Sequence, residues 1–109
     1  MLKRAQRVKR VAFTDFFKKG KRVHSEHLTV VYTPFPTFHG SVVVSKKVSK
    51  KAVDRNRIRR RIYHILANNT SSSQAGVFIV VVKPSYMTLT RKQAKSEVEA
   101  LVVRTLKSA

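Results

Sequence analysis

Arginine and lysine crowd into one stretch of this sequence. Between Lys46 and Arg61 lie Lys46, Lys47, Lys50, Lys51, Arg55, Arg57, Arg59, Arg60 and Arg61, with Asp54 the sole acid. A guanidinium offers a planar fork that meets phosphate oxygens with two parallel hydrogen bonds, and an ammonium adds a compact point charge. Charge runs on ordinary proteins are laced with acids that pair with them. Here those acids are missing: 109 residues hold 24 Lys and Arg against 5 Asp and Glu, a formal charge of +19. Such self-repulsion destabilises a compact state, and a bound polyanion offsets it. Nucleic acid is the first candidate and an anionic membrane surface the second.

Aromatic side chains form the other group with binding chemistry. Phe13, Phe16 and Phe17 fall at helical spacing ahead of Gly20. Phe13 and Phe17, four apart, share one helix face. They fit either a core or, with Tyr32 on a nearby strand, a platform for unstacked bases of a single strand. In the second case Phe16 supplies the core anchor.

Catalytic groups do not assemble. Asp15, Glu26, Asp54, Glu97 and Glu99 are scattered, and Glu97 and Glu99 do not share a helix face. His24, His27, His39 and His64 show neither metal-ligand spacing nor a carboxylate-oriented pattern. The 3 glycines are isolated, so no phosphate-cradling loop exists, and the absence of cysteine removes disulfides and thiolate metal sites. On its residues the chain binds rather than catalyses, with no metal site and no catalytic residue expected. The apolar run Val77–Val82 is far shorter than the roughly 20 residues of a membrane helix. The basic N-terminus lacks an apolar signal core, and together these features predict a cytoplasmic protein.

The elements that must position these groups follow from periodicity. Ile58, Ile62, Ile65 and Leu66 keep the i, i+4, i+7, i+8 spacing of one helix face. A helix from about Ser49–Ala52 to Asn68 is therefore packed on one side and cationic on the other. On the wheel Arg57, Arg60 and His64 point away from the apolar stripe. Arg55 lies near it, so that its stem packs while its guanidinium reaches an edge. Leu28–Thr33 and Ser41–Ser45 are β-branched and read as strands, with Pro34–Gly40 a loop between them. Alternation sends Thr29, Val31 and Thr33 to the face opposite Leu28, Val30 and Tyr32. Val77–Val82 reads as a strand covered on both faces, and residues 69–74 as a polar loop. Thr90-Arg91-Lys92-Gln93 matches a capping box, followed by an amphipathic helix with Ala94, Val98, Leu101 and Val102. The predicted architecture is one α+β domain over residues 1–109, a two-layer sandwich in α-β-β-α-β-α order around one sheet. Residues 1–11 form a flexible basic tail in this reading.

The S-K-K run ending at Lys47, followed by A-V-D-R-N-R-I-R-R-R-I, closely resembles the bacterial ribonuclease P protein component. That family carries an R-N-x-x-[KR]-R helix after an S-K-K strand end. Arg55, Asn56, Arg59 and Arg60 occupy the pattern, and Lys46 and Lys47 the preceding pair. The Phe13-x-x-x-Phe17-x-x-Gly20 segment, the Tyr32-Thr33 strand end and the apolar strand before Lys83-Pro84 extend the likeness across most of residues 10–107.

The resemblance implies a protein subunit of ribonuclease P, an endoribonuclease that removes the 5′ leader of precursor tRNA. It implies that the catalytic centre and its magnesium lie mainly on the RNA subunit, the protein alone holding no cofactor. Lys46, Lys47, Arg55, Asn56, Arg57, Arg59 and Arg60 are expected to face the catalytic RNA, and Phe13, Phe17 and Tyr32 to line a cleft for the single-stranded leader. A left-handed crossover between two parallel strands through the arginine helix is implied as well, against the usual handedness. Competing classes are a ribosomal-type RNA-binding protein, a membrane-active cationic protein and a free-standing nuclease.

Overall fold

The computed structural model of the chain describes residues 10–69 and 76–108. Helix α1 spans Arg10–Lys19, followed by strands β1 (Lys21–His24), β2 (Leu28–Thr33) and β3 (Phe38–Val43). Helix α2 (Ala52–Asn69), strand β4 (Gly76–Val82), a 3-10 turn (Pro84–Thr88) and helix α3 (Arg91–Ser108) complete the chain. The sheet order is β1-β2-β4-β3, antiparallel except for the parallel pair β3–β4. Parallel neighbours need a crossover, and α2 provides it.

Alternation along β4 separates two cores. Phe78, Val80 and Val82 face α2 and α3, meeting Ile58, Ile62, Leu66, Val98 and Val102. Val77 and Ile79 face the other way and, with Val31, meet Phe13, Phe16 and Phe17 of α1. The sheet, α2 and α3 thus make the expected two-layer body. Helix α1 stands alone on the opposite face.

Two strands differ from the sequence reading. The first is β1, an additional strand whose Lys-Arg-Val-His sequence lacks strand character of its own. Pairing with β2, from Lys21 opposite Tyr32 to His24 opposite Thr29, recruits it, and its charges blunt an exposed sheet edge. The second is β3, which begins at Phe38 and takes in Gly40, both read as loop from the sequence. Burying Phe38 against Phe78, ring centroids 5.7 Å apart, outweighs the weak strand preference of glycine. Arg10 and Val11, assigned to the basic tail, belong to α1, whereas residues 1–9 lie outside the described residues. The polar loop falls almost wholly outside them too.

Local signals at the helix ends are met as the chemistry requires. Gly20 closes α1 with its N–H donating to Phe16 O at 2.9 Å. At α3 the capping box is reciprocal: the Gln93 N–H donates to Thr90 Oγ1 at 3.2 Å, and the Thr90 N–H to Gln93 Oε1 at 3.0 Å. Gly76 opens β4 at φ +139°, and a Cβ there would sit 2.4 Å from the Tyr32 ring. Only glycine fits both the backbone and the space.

Candidate nucleic-acid interface

The cationic surface begins with the segment between β3 and α2. Its turn is closed by the Val48 N–H donating to Ser45 O at 3.0 Å, and Val48 is plugged into the main core. Ser49 Oγ accepts from the Lys51 N–H at 3.3 Å and donates to Asp54 Oδ2 at 3.3 Å, tying the segment to the first turn of α2. Arg55 reaches back from α2, Nη1 donating to Ser49 O and Lys50 O at 2.9 Å each. The eight-residue connection between β3 and α2 is thereby clamped at both ends. Lys46 and Lys47 project from it fully exposed.

Sequence pattern groups Arg55, Asn56, Arg57, Arg59 and Arg60 together, but the structure divides them. Asn56, Arg57 and Arg60 are exposed. Arg55 and Arg59 are half-buried. Arg59 donates to Asn56 Oδ1 at 2.7 Å and to Val44 O at 3.3 Å, bracing the strand end against the helix. Tyr63, one helical turn on, accepts from the Val42 N–H at 3.3 Å through its hydroxyl. Helix α2 is therefore fixed to β3 by polar contacts on one flank and by its apolar stripe beneath. The exposed cations form a preorganised surface with Lys46 and Lys47 at one end. A backbone held in this way presents its exposed cations to phosphate without first being ordered.

On the far side of the sheet, Phe13 and Phe17 stack with centroids 5.7 Å apart and planes at 21°. The Arg22 guanidinium lies over the Phe17 ring at 4.5 Å and donates to Phe17 O at 3.1 Å. Phe16 meets Phe35 edge-on at 5.5 Å, and Phe35 meets His39 at 5.4 Å. A row of π-faces beside a cation thus runs from α1 towards β3. Val43 and Val81 contribute a half-buried apolar floor.

Tyr32 does not join this row, which corrects the expectation of a shared platform. Its ring packs on Phe78 at 5.0 Å within the main core, on the α2 face of the sheet. The cause is strand parity: Val31 points at α1, so Tyr32, the next residue, must point away. Sequence reasoning also missed Arg22. Its signal was its place two residues after Gly20, and its pairing with Val31 in the β1–β2 register sets its face.

A second polar cluster was not anticipated. Glu97 of α3 accepts from the His27 N–H at 3.0 Å and from Ser25 Oγ at 2.8 Å, and its Oε1 lies 2.7 Å from His27 Nδ1. Desolvation by itself would raise its carboxyl; the bonds from His27 and Ser25 override it and hold the group below the ordinary glutamate value. Lys83 Nζ donates to Ser25 O at 2.7 Å, so the cluster pins the β1–β2 turn to α3 and to the end of β4. No group of three or more His, Asp or Glu suited to a metal ion occurs among the described residues, and none of their helices is long and apolar enough to cross a membrane.

Comparisons with known proteins point to one family. The family model described as Ribonuclease P matches residues 2–106. The ribonuclease P protein component of Microcystis aeruginosa is 32% identical over 100 residues, covering 84% of this chain and 82% of that protein. A mutant RNase P protein from Staphylococcus aureus superposes with a TM-score of 0.83 at 28% identity, over 93% of this chain and 88% of the other. The RNase P protein from Thermotoga maritima gives 0.71 over 94% and 96% of the two chains; at 19% identity this likeness concerns the fold alone.

Proposed function

The chain belongs to the ribonuclease P protein family, and from that premise we propose that its two sheet faces divide the work of a ribonucleoprotein. It is a protein component of ribonuclease P and takes part in tRNA processing. In our reading Lys46, Lys47, Asn56, Arg57 and Arg60 bind phosphates of the catalytic RNA, while Arg55 and Arg59 hold that surface in shape. The single-stranded 5′ leader of precursor tRNA lies across the opposite face, its bases on Phe13 and Phe17 and its backbone near Arg22. Hydrolysis and the magnesium it needs reside on the RNA subunit, in the cytoplasm.

The observation that carries this reading is the stacked Phe13–Phe17 pair under the Arg22 guanidinium, separated by the whole sheet from the arginine helix. Aromatic faces beside a cation are the arrangement single strands use, each base stacked gaining about 1–3 kcal/mol. The test is Phe17→Ala in the reconstituted holoenzyme. Binding of leader-bearing precursor tRNA falls about thirtyfold, taking a mid-range stacking energy of about 2 kcal/mol, whereas mature tRNA binds as before. Equal losses for both RNAs, with the variant folded, refute the leader assignment.

A further inference from the structure

The flank of α2 turned away from β3 carries a feature that the division of labour above does not use. Between α2 and α3 opens a groove of about 220 Å³. Its floor is apolar, made by Ile65, Tyr86 and Ala94, and its rim is cationic or imidazole, made by Arg61, His64, Arg91 and Lys95. A second depression shares Arg61, Tyr86 and Arg91 and continues past Arg57 and Met87, so the two form one channel along the helix pair. Asp54 is the only acid lining either part among the described residues.

The cations here lack the partners that surface arginines usually have. The ion pairs among the described residues join His27 to Glu97 and Glu26, and Lys95 to Glu99 at 3.9 Å; Arg61 and Arg91 enter none. The Lys95–Glu99 pair spans one helical turn in solvent and is weak. Burial raises the Tyr86 hydroxyl above its ordinary value, with the nearby Arg61 charge opposing the shift, so this part of the floor stays neutral. A neutral apolar floor with cations along its rim fits sugar and base edges below and phosphates above.

We propose that the α2–α3 channel is a second RNA-binding site, taking a strand whose phosphates meet Arg61, Arg91 and Lys95. It rests on the reading that this chain binds RNA, but not on the leader assignment. It lies on the same side of the sheet as α2's other contacts, around the helix from Lys46 and Lys47. A strand in the channel would let α2 be gripped from both flanks. The same phosphate chemistry could come from the catalytic RNA or from the precursor tRNA.

Because the chain has no native cysteine, a single introduced thiol reports from one place only. Lys95→Cys carrying an iron chelate is assembled with ribonuclease P RNA and precursor tRNA, and strand scission is mapped on both. Lys47→Cys with the same tether is the reference for the surface at the other flank. Scission from position 95 at nucleotides distinct from those cut from position 47 is the expected result, and the RNA that carries the cuts identifies the source. Cuts from position 47 with none from position 95 overturn the channel while leaving the general RNA-binding reading intact. No cuts from either position remove both. In parallel, Arg61→Gln with Arg91→Gln lowers the slope of log affinity against log salt by roughly 1.5, from about 0.7–0.9 per phosphate contact. An unchanged slope in a variant that melts like the parent also overturns the channel.

Discussion

Arg55→Ala separates a residue that shapes the RNA surface from one that touches RNA. The Arg55 guanidinium makes two hydrogen bonds at 2.9 Å to the carbonyls of Ser49 and Lys50, in a half-buried position. Hydrogen bonds involving a charged group contribute about 1.5–3 kcal/mol each when well shielded, and exposure reduces that. A combined loss of about 1.5–2.5 kcal/mol follows for the pair. At roughly 4 °C per kcal/mol for a domain of this size, Tm falls by about 6–10 °C. Arg60, exposed and bonded to no protein carbonyl that the structure shows, behaves differently. Arg60→Ala stays within about 0.5 kcal/mol of the parent in stability.

RNA binding sorts the two variants the other way. Arg60→Ala lowers the salt slope of binding to ribonuclease P RNA by roughly 0.7–0.9, the signature of one lost phosphate contact. Arg55→Ala weakens affinity because Lys46 and Lys47 must then be ordered on binding, but it leaves the slope nearly unchanged. Arg55→Lys keeps the charge but not the two-carbonyl reach, so it recovers only part of the melting temperature. Thermal denaturation by circular dichroism and a salt titration of binding provide both readings. If Arg55→Ala melts with the parent and lowers the slope as Arg60→Ala does, the clamp is wrong and Arg55 is a phosphate ligand.

Further outcomes follow from the polar cluster and from strand parity. Glu97 titrates below the ordinary glutamate value of 4.5 in the folded state, so its carboxylate adds stability above the unfolded value. That contribution is lost as pH falls through the depressed folded value. Glu97→Gln should therefore cost about 1–2 kcal/mol at pH 7, and in urea titrations the deficit should shrink as pH falls below 4.5. Parallel stability curves for parent and variant would contradict the cluster. Tyr32→Ala removes a half-buried ring packed on Phe78 and costs about 2–3 kcal/mol. It leaves the preference for leader-bearing over mature tRNA unchanged; a lost preference at unaltered Tm would restore Tyr32 to the leader surface.

Much of this was legible from residue patterns, and the failures have identifiable causes. The apolar stripe Ile58, Ile62, Ile65, Leu66 located α2 and its buried side, and all four residues are in the core. The Thr90–Gln93 box placed the start of α3 because capping is local chemistry. Strand parity for Leu28–Thr33 was also readable, yet which face α1 would choose was not. That choice depends on Val31, Val77 and Ile79 coming together from distant strands, and it decided that Tyr32 and the two phenylalanines would part. The β1 strand was invisible because pairing, not composition, makes it. The His27–Glu97 contact joins residues 70 positions apart, and no spacing rule reaches across such a separation.

The family motif itself gains a different meaning from the structure. Composition alone makes Arg55, Asn56, Arg59 and Arg60 equivalent cations and donors, available to a phosphate. Arg59 instead spends its donors on Val44 O and Asn56 Oδ1, and Arg55 on the carbonyls of the connecting turn. Arg59 uses both terminal nitrogens of its fork to bridge two separated acceptors, whereas Arg55 serves two carbonyls from one nitrogen. In a chain of net charge +19, bonding guanidinium groups to backbone carbonyls also moves positive charge onto partial negative charge where carboxylates are scarce. Part of the cationic helix therefore steadies the fold that its own charge strains, and the exposed remainder, Arg57 and Arg60 with Lys46 and Lys47, is left to meet the polyanion.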